Sequence, residues 1–293
     1  MSIPTFPAVD CAEHQEGFLH ARDHIRLFWQ RYVPRTSPRA TAIVLHGGGD
    51  HSGRYPALVS ALVEAGFEAA LVDLRGHGQS DGRRWHVDAF GDYVSDFDVF
   101  HEKLRSEQPD RPRYVIAHSQ GALVAALWGA GRDRDVAGFV FSSPFFGLAR
   151  RPPLLKELGA RLVGGLVPWL PIATGIDLAD LTSDEALQGW TARDHLYSRT
   201  TSPRWFVEAT RAHAEALRRA PDFRTPLLVL AAGADRIADL AATRRYVDAV
   251  GAADKRLTVY DGFRHELFNE RERARPIGDA VGWLASRAGA ADR

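Results

Sequence analysis

Residues 114–123 read Tyr-Val-Ile-Ala-His-Ser-Gln-Gly-Ala-Leu, and this segment is the most informative one about the fold. An apolar, β-rich run leads through Ser119 into an Ala- and Leu-rich helical segment. A serine at such a tight strand-to-helix turn holds its hydroxyl above the sheet edge, and the small Ala117 and Gly121 let strand and helix pass closely. We therefore interpret Ser119 as a nucleophile at an elbow. A serine that only caps a helix is the simpler alternative.

Short β-rich runs alternate with helix-length segments along the rest of the chain. This alternation predicts the α/β class, with a mostly parallel eight-stranded sheet and helices on both faces. The first two strands are expected to form a hairpin across residues 22–24. The predicted strands are Gly17–Ala21, Ile25–Val33, Ala40–His46, Glu68–Leu74, Arg113–His118, Val136–Ser142, Leu227–Ala232 and Arg256–Tyr260. The predicted helices are Tyr55–Ala65, Val87–Glu107, Gln120–Ala130, Leu240–Val250 and Pro276–Ala288.

The alternation stops between Pro144 and Thr225, which predicts a helical cap inserted into the core. We expect a first core part at 1–144, the cap at 145–225 and a second core part at 226–293. The first half of the cap is apolar, from Leu154-Leu155 through Leu162-Val163 to residues 167–170, and a helix is expected around 204–220. The uncharged stretch 162–172 contains Trp169, a residue type suited to a membrane interface, but it is too short to span a bilayer.

Composition excludes several classes of function. The 37 Lys and Arg residues balance 37 Asp and Glu residues, and no basic block is present, so nucleic-acid binding is not supported. Cys11 is the single cysteine, which rules out an intrachain disulfide and a thiolate metal cluster. Without a secretory pattern at the start, we expect a cytoplasmic location. Composition leaves the oligomeric state open.

A serine nucleophile needs a base and an orienting carboxylate. Asp235 follows one apolar strand and His265 follows the next, so both are expected at the sheet edge that carries Ser119. Asp239 and Asp261 are competing acids, which we interpret as a helix N-terminus and a turn residue. His118 is expected to point away from the base because of strand alternation.

Acyl transfer also needs donors for the developing oxyanion, and the sequence offers a glycine-rich loop for that role. Residues 46–55 read His-Gly-Gly-Gly-Asp-His-Ser-Gly-Arg-Tyr after an apolar strand. The backbone N–H groups of Gly48 and Gln120 are the expected donors. A phosphate site is a weaker alternative, since no Gly-Lys-Ser/Thr follows. His46 and His51 lack metal-ligand spacing, so we expect them to hold the loop through hydrogen bonds. We also expect the polar turn at 73–82 to have a structural role.

Taken together, these motifs resemble the α/β-hydrolase superfamily and, within it, the monoacylglycerol lipase and lysophospholipase group. The motifs occur in the family's order from about residue 17 to 285. Three positions depart from the family pattern: Ala117 for a glycine, Asp50 for a glutamate, and His195 where an Asp-Pro pair is common. The quoted motifs are His46–Tyr55, Asp73–Ser80, the Ser119 elbow, Ser142–Pro144, Ala234–Arg236 and Gly262–Glu270.

The resemblance implies a cap over an acyl tunnel, transient contact with a membrane surface, and hydrolysis of monoacylglycerols or lysophospholipids without metal or cofactor. Short-chain or aryl esters are the alternative substrates. A peptidase of the same fold is a further alternative, and its only signals are Asp194 and Glu208 as carboxylates for a substrate amino group. A non-catalytic binding protein would be expected to have lost a residue of the Ser119, Asp235 and His265 set or an oxyanion glycine.

Overall fold

A single eight-stranded sheet forms the centre of the molecule. The structure is a computed structural model that describes residues 9–131, 135–150 and 166–288. The described strands are β1 (Glu13–His20), β2 (Arg26–Val33), β3 (Ala40–Leu45), β4 (Phe67–Val72), β5 (Arg113–His118), β6 (Gly138–Ser142), β7 (Ile172–Ala173), β8 (Thr200–Thr201), β9 (Leu227–Ala232) and β10 (Lys255–Tyr260). The sheet order is β1-β2-β4-β3-β5-β6-β9-β10. Among the strand pairs of this eight-stranded sheet, as the described residues show them, only β1–β2 and β2–β4 are antiparallel, which confirms the prediction of a mostly parallel sheet.

Helices cover both faces of this sheet. The described helices are α1 (Pro56–Glu64), α2 (Gly91–Glu107), α3 (Gln120–Gly129), α4 (Leu178–Leu181), α5 (Glu185–Arg193), α6 (Pro203–Arg219), α7 (Leu240–Ala249) and α8 (Ala274–Ala288). Alternating residues of β5 enter two separate apolar clusters, with Val115 in one and Ile116 in the other. The first cluster includes side chains of α2, α3 and α7, and the second includes side chains of α1 and α8. Because strand side chains alternate, each face of the sheet buries its own core.

Two elements begin four residues away from their predicted starts, whereas the other predicted boundaries agree to within two residues. β1 begins at Glu13 rather than Gly17, because it is an edge strand whose exposed polar side chains conceal the pairing with β2. α2 begins at Gly91 rather than Val87, because residues 87–90 form a bend and a turn that bury Val87 and Phe90 before the helix starts.

Between β6 and β9, the described residues contain α4, α5, α6 and a small two-stranded antiparallel sheet of β7 with β8. We call the described residues 145–150 and 166–225 the insertion. The expected helix around 204–220 is present as α6, whereas the two-stranded sheet was not predicted. The apolar pairs Leu154-Leu155 and Leu162-Val163 lie outside the described residues. Within the part of the chain that the structure describes, no helix has the length and apolar character needed to span a membrane.

Candidate active site

Ser119 lies in the tight turn between β5 and α3. Its backbone has φ of 51° and ψ of −115°, a left-handed conformation that costs energy for a non-glycine residue. The close crossing behind it requires Gly121, since a Cβ there would lie 2.5 Å from the carbonyl oxygen of His46 and 2.7 Å from that of Leu45. The strained turn therefore depends on a glycine that lets α3 pass directly over the end of β3.

The structure brings Ser119, His265 and Asp235 together. Asp235 follows β9 and His265 follows β10, so neighbouring parallel strands deliver them to the same sheet edge. The Asp235 carboxylate accepts from His265 Nδ1 at 2.8 Å, and Ser119 Oγ lies 2.9 Å from His265 Nε2. Because a carboxylate only accepts, Nδ1 carries the hydrogen and Nε2 is left to accept the serine proton.

The other carboxylate oxygen of Asp235 is fixed by the backbone. Asp235 Oδ1 accepts from the N–H groups of Ile237 at 2.8 Å and Ala238 at 2.9 Å. Burial acts to raise the pKa of Asp235, but the charge and hydrogen bond of His265, together with these N–H groups, lower it below its ordinary value. Asp235 is therefore a charged and rigid partner.

His265 is buried in the same site. Burial alone would lower its pKa, but the charge and hydrogen bond of Asp235 outweigh that effect and raise the pKa above its ordinary value of 6.5. An imidazole in this environment is a stronger base than an exposed one. The arrangement can therefore take a proton from Ser119 and keep the resulting cation next to a carboxylate.

The two competing acids lie elsewhere. Asp239 is the N-cap residue of α7, where its side chain accepts from the backbone N–H of Ala241 at 2.8 Å. Asp261 lies in the turn after β10 together with Gly262, whose φ of 78° suits glycine. Neither carboxylate contacts His265 in the way that Asp235 does.

The expectation for His118 is wrong. Its ring centroid lies 4.8 Å from that of His265, and it lines the same pocket. His118 is the last residue of β5, and its ring lies on the side of Tyr55, with centroids 6.5 Å apart; His265, from the loop after β10, approaches on that same side. Burial and the neighbouring His265 lower the pKa of His118 to about 3, and its Nδ1–H donates to the carbonyl of Ser142 at 3.1 Å. His118 is therefore a neutral packing partner of the base.

The two predicted oxyanion donors, Gly48 and Gln120, line one pocket with Ser119. Gln120 is the first residue of α3, so its N–H has no partner within the helix. A Cβ on Gly48 would lie 2.3 Å from the Trp85 ring and 2.9 Å from Gln120 Oε1. The loop can therefore pack this closely against Trp85 and Gln120 only because a glycine occupies this position.

The histidines of this loop hold its shape. His46 donates from Nδ1 to the carbonyl of Gly47 at 2.7 Å and accepts at Nε2 from the N–H of Leu74 at 2.9 Å. His51 lies 2.8 Å from Asp194 in the insertion. No group of three or more His, Cys, Asp or Glu side chains placed to hold a metal ion occurs at residues 9–131, 135–150 or 166–288.

Sequence reasoning missed a buried arginine behind the site. Arg54 makes ion pairs with Asp50 at 2.7 Å and, through both carboxylate oxygens, with Glu266 at 2.8 and 2.9 Å. Its guanidinium also donates to Thr191 of α5 at 2.7 Å. Glu266 follows His265 directly, so this network links the glycine-rich loop, the base and the insertion. Asp50 lies four residues before Arg54, but no local pattern marks the whole network, since Thr191 and Glu266 are remote in sequence.

The pocket above Ser119 encloses about 310 Å³, at the lower end of ligand-pocket volumes. Its walls are mostly apolar and combine core and insertion side chains. Glu208 and Asp194, the carboxylates considered for a substrate amino group, do not line it; they pair with Arg211 and His51 respectively. The apolar lining residues are Trp85, Phe145, Leu148, Ile176, Leu181, Tyr197, Trp205, Phe206 and Ile237.

Comparison with known proteins gives one family and a consistent set of relatives. The family described as "Serine aminopeptidase, S33" matches residues 36–272. The chain is 28% identical to a monoacylglycerol lipase of Mycolicibacterium smegmatis over 89% of this chain and 94% of that one. It is 29% identical to the phospholipase YtpA of Bacillus subtilis over 80% and 91%. The crystal structure of Paleococcus ferrophilus monoacylglycerol lipase superposes with a TM-score of 0.81 at 26% identity, covering 89% and 99%.

Proposed function

The chain belongs to the serine aminopeptidase S33 family of α/β-hydrolases and is a carboxylic ester hydrolase similar to monoglyceride lipases, and we propose that it cleaves lipid esters with Ser119 as nucleophile. The observation that carries this proposal is the pair of contacts at His265, 2.9 Å to Ser119 and 2.8 Å to Asp235. Both distances lie within hydrogen-bond reach, so His265 can take the Ser119 proton while Asp235 orients its ring.

The proposed reaction has two acyl-transfer steps. Ser119 Oγ attacks the ester carbonyl while His265 Nε2 takes its proton, and Asp235 stabilises the imidazolium. The N–H groups of Gly48 and Gln120 donate to the oxyanion of the tetrahedral intermediate. His265 then returns the proton to the departing alcohol, which leaves an acyl group on Ser119. Water, activated by the same base, releases the acid and restores the serine.

Long-chain monoacylglycerols or lysophospholipids are the substrates we propose. The relatives named as monoacylglycerol lipase and phospholipase support this class, and the apolar pocket suits an acyl chain. Esters with short or aryl acyl groups are the alternative, because fold alone does not decide the substrate.

We also propose that residues 145–225 act as a cap that contacts membranes transiently. Apolar side chains are exposed on the insertion at Leu166 (81%), Trp169 (49%) and Leu170 (43%). Such a cluster of exposed apolar residues is typical of an interaction surface. A cytoplasmic enzyme that visits the membrane surface remains our prediction for location.

A substrate panel with a matched variant tests the proposal. Purified protein should hydrolyse glycerol and p-nitrophenyl esters and react with a fluorophosphonate probe, and Ser119→Ala should lose both activities while its circular dichroism stays unchanged. Aminoacyl p-nitroanilides should be cleaved far more slowly than the esters. Faster cleavage of the anilides would support the peptidase alternative, and an active Ser119→Ala variant would overturn the nucleophile assignment.

A further inference from the structure

The side chain of Gln120 holds two indole rings. Its Oε1 accepts from Trp85 Nε1 at 3.0 Å and from Trp205 Nε1 at 2.8 Å. An indole N–H only donates, so the amide oxygen must face both rings, and this decides the orientation of the amide. Gln120, Trp85 and Trp205 are 1%, 4% and 6% exposed. Two hydrogen bonds to one buried acceptor therefore immobilise the side chain.

The two rings come from different parts of the chain. Trp85 lies in the loop after β4, whereas Trp205 lies in the first turn of α6, in the insertion. Their ring centroids are 5.0 Å apart, and the Trp205 ring stacks on Phe145 with centroids at 6.1 Å. Gln120 thus joins the first turn of α3 to a helix of the insertion across the floor of the pocket.

The same part of the insertion also contacts the loop that carries Gly48, the other proposed oxyanion donor. Ser198 donates its backbone N–H to the carbonyl of Gly49 at 2.7 Å, next to Gly48. Thr201 Oγ1 donates to the carbonyl of Trp85 at 3.1 Å. Residues 198–205 therefore contact the loop that carries Gly48 as well as the side chain of Gln120.

We propose that Gln120 is a positioning residue, whose side chain, clamped by Trp85 and Trp205, holds its own backbone N–H in the direction of the oxyanion. The inference rests on the proposed function, since it assigns that N–H to the oxyanion hole. In this proposal the insertion supports the oxyanion hole through Trp205, in addition to lining the pocket. Loss of one indole donor frees the amide to rotate and lets the first turn of α3 shift.

A positioning role and a simple lining role predict different kinetics. The oxyanion is common to all ester substrates, so a misplaced donor lowers kcat for short and long acyl chains alike. A ring that only lines the pocket changes KM, and changes it more for longer chains. The chain-length dependence of kcat and KM therefore separates the two roles.

Trp205→Phe removes the indole donor and keeps an aromatic ring, and Trp85→Phe is the second variant. We expect each to lower kcat roughly tenfold on both p-nitrophenyl acetate and p-nitrophenyl decanoate, because small displacements at a reacting centre cost that much or more. Trp283→Phe, in α8 against Gly138, is the matched control and should leave kcat unchanged. Circular dichroism and thermal unfolding show whether each variant is folded.

A double-mutant cycle with Gln120→Leu completes the test, because the clamp needs both partners. In the Gln120→Leu background, Trp205→Phe should lower kcat by less than about twofold. An equal loss in both backgrounds, or an effect on the KM of decanoate alone, would overturn the positioning role. If Ser119→Ala is inactive but Trp205→Phe retains full kcat, only this inference fails. If Ser119→Ala retains activity, the proposed function fails first.

Discussion

Asp235 meets His265 at 2.8 Å with its second oxygen already held by two backbone N–H groups. The carboxylate therefore cannot turn away from the imidazole without breaking bonds to the start of the following segment. The backbone at this strand end therefore orients the carboxylate that we propose as the acid partner of His265.

Asp235→Asn should lower kcat by roughly 10³- to 10⁴-fold, because the amide favours the wrong tautomer of His265. Asp239→Asn is the matched control: asparagine caps a helix as well as aspartate does, and Asp239 caps α7. Initial rates on one ester at saturating concentration provide the comparison. Similar losses in the two variants would show that Asp235 is not the acid partner.

The rate should rise with pH through the titration of His265. A protonated imidazole cannot accept the Ser119 proton, and the pKa of His265 is raised above 6.5, so the protonated form persists to higher pH. The acid limb of kcat/KM should therefore have its midpoint above 6.5. In Asp235→Asn the residual rate should have its midpoint at lower pH, since burial then acts without the carboxylate. A wild-type midpoint below 6.5 would contradict the geometry.

Arg54→Met should destabilise the protein by about 3–5 kcal/mol, because it leaves the buried carboxylates of Asp50 and Glu266 without their cation. Urea unfolding followed by tryptophan fluorescence measures this free energy. Arg218→Ala is the control, since Arg218 and its partner Glu215 are solvent-exposed and their pairing contributes little. Equal midpoints for Arg54→Met and the wild type would show that the network does not stabilise the fold.

Substituting Leu166 and Trp169 by serine should weaken binding to phosphatidylcholine vesicles about tenfold or more, since two exposed apolar side chains lose their membrane contact. Activity on dispersed long-chain monoacylglycerol should fall, while the rate on p-nitrophenyl acetate should change little. Leu217 is an exposed leucine on α6, away in sequence from Leu166 and Trp169. The Leu217→Ser variant therefore provides the control in a vesicle sedimentation assay. Unchanged vesicle binding in the double variant would count against membrane contact through the insertion.

Local patterns were enough to predict the central sheet and the residues at its strand ends. The elbow at Ser119 and the positions of Asp235 and His265 each follow from an apolar run that ends in a turn, and parallel strands bring such ends to one edge. The predicted start of edge strand β1 lies four residues after the observed one, because its exposed side chains carry little of the apolar pattern on which such predictions depend.

Contacts between segments that are remote in the chain could be identified from the three-dimensional structure alone. The pairing of Arg54 with Glu266, the position of His118 beside His265, and the two indole donors on Gln120 join residues that no periodicity relates. Such contacts depend on where the insertion returns to the core and on how the turn at Ser119 redirects the chain. Which residues lie at the sheet edge follows from the amino-acid sequence, because strands and turns depend on neighbouring residues. Their burial, charge partners and orientation were set by packing between segments far apart in the chain.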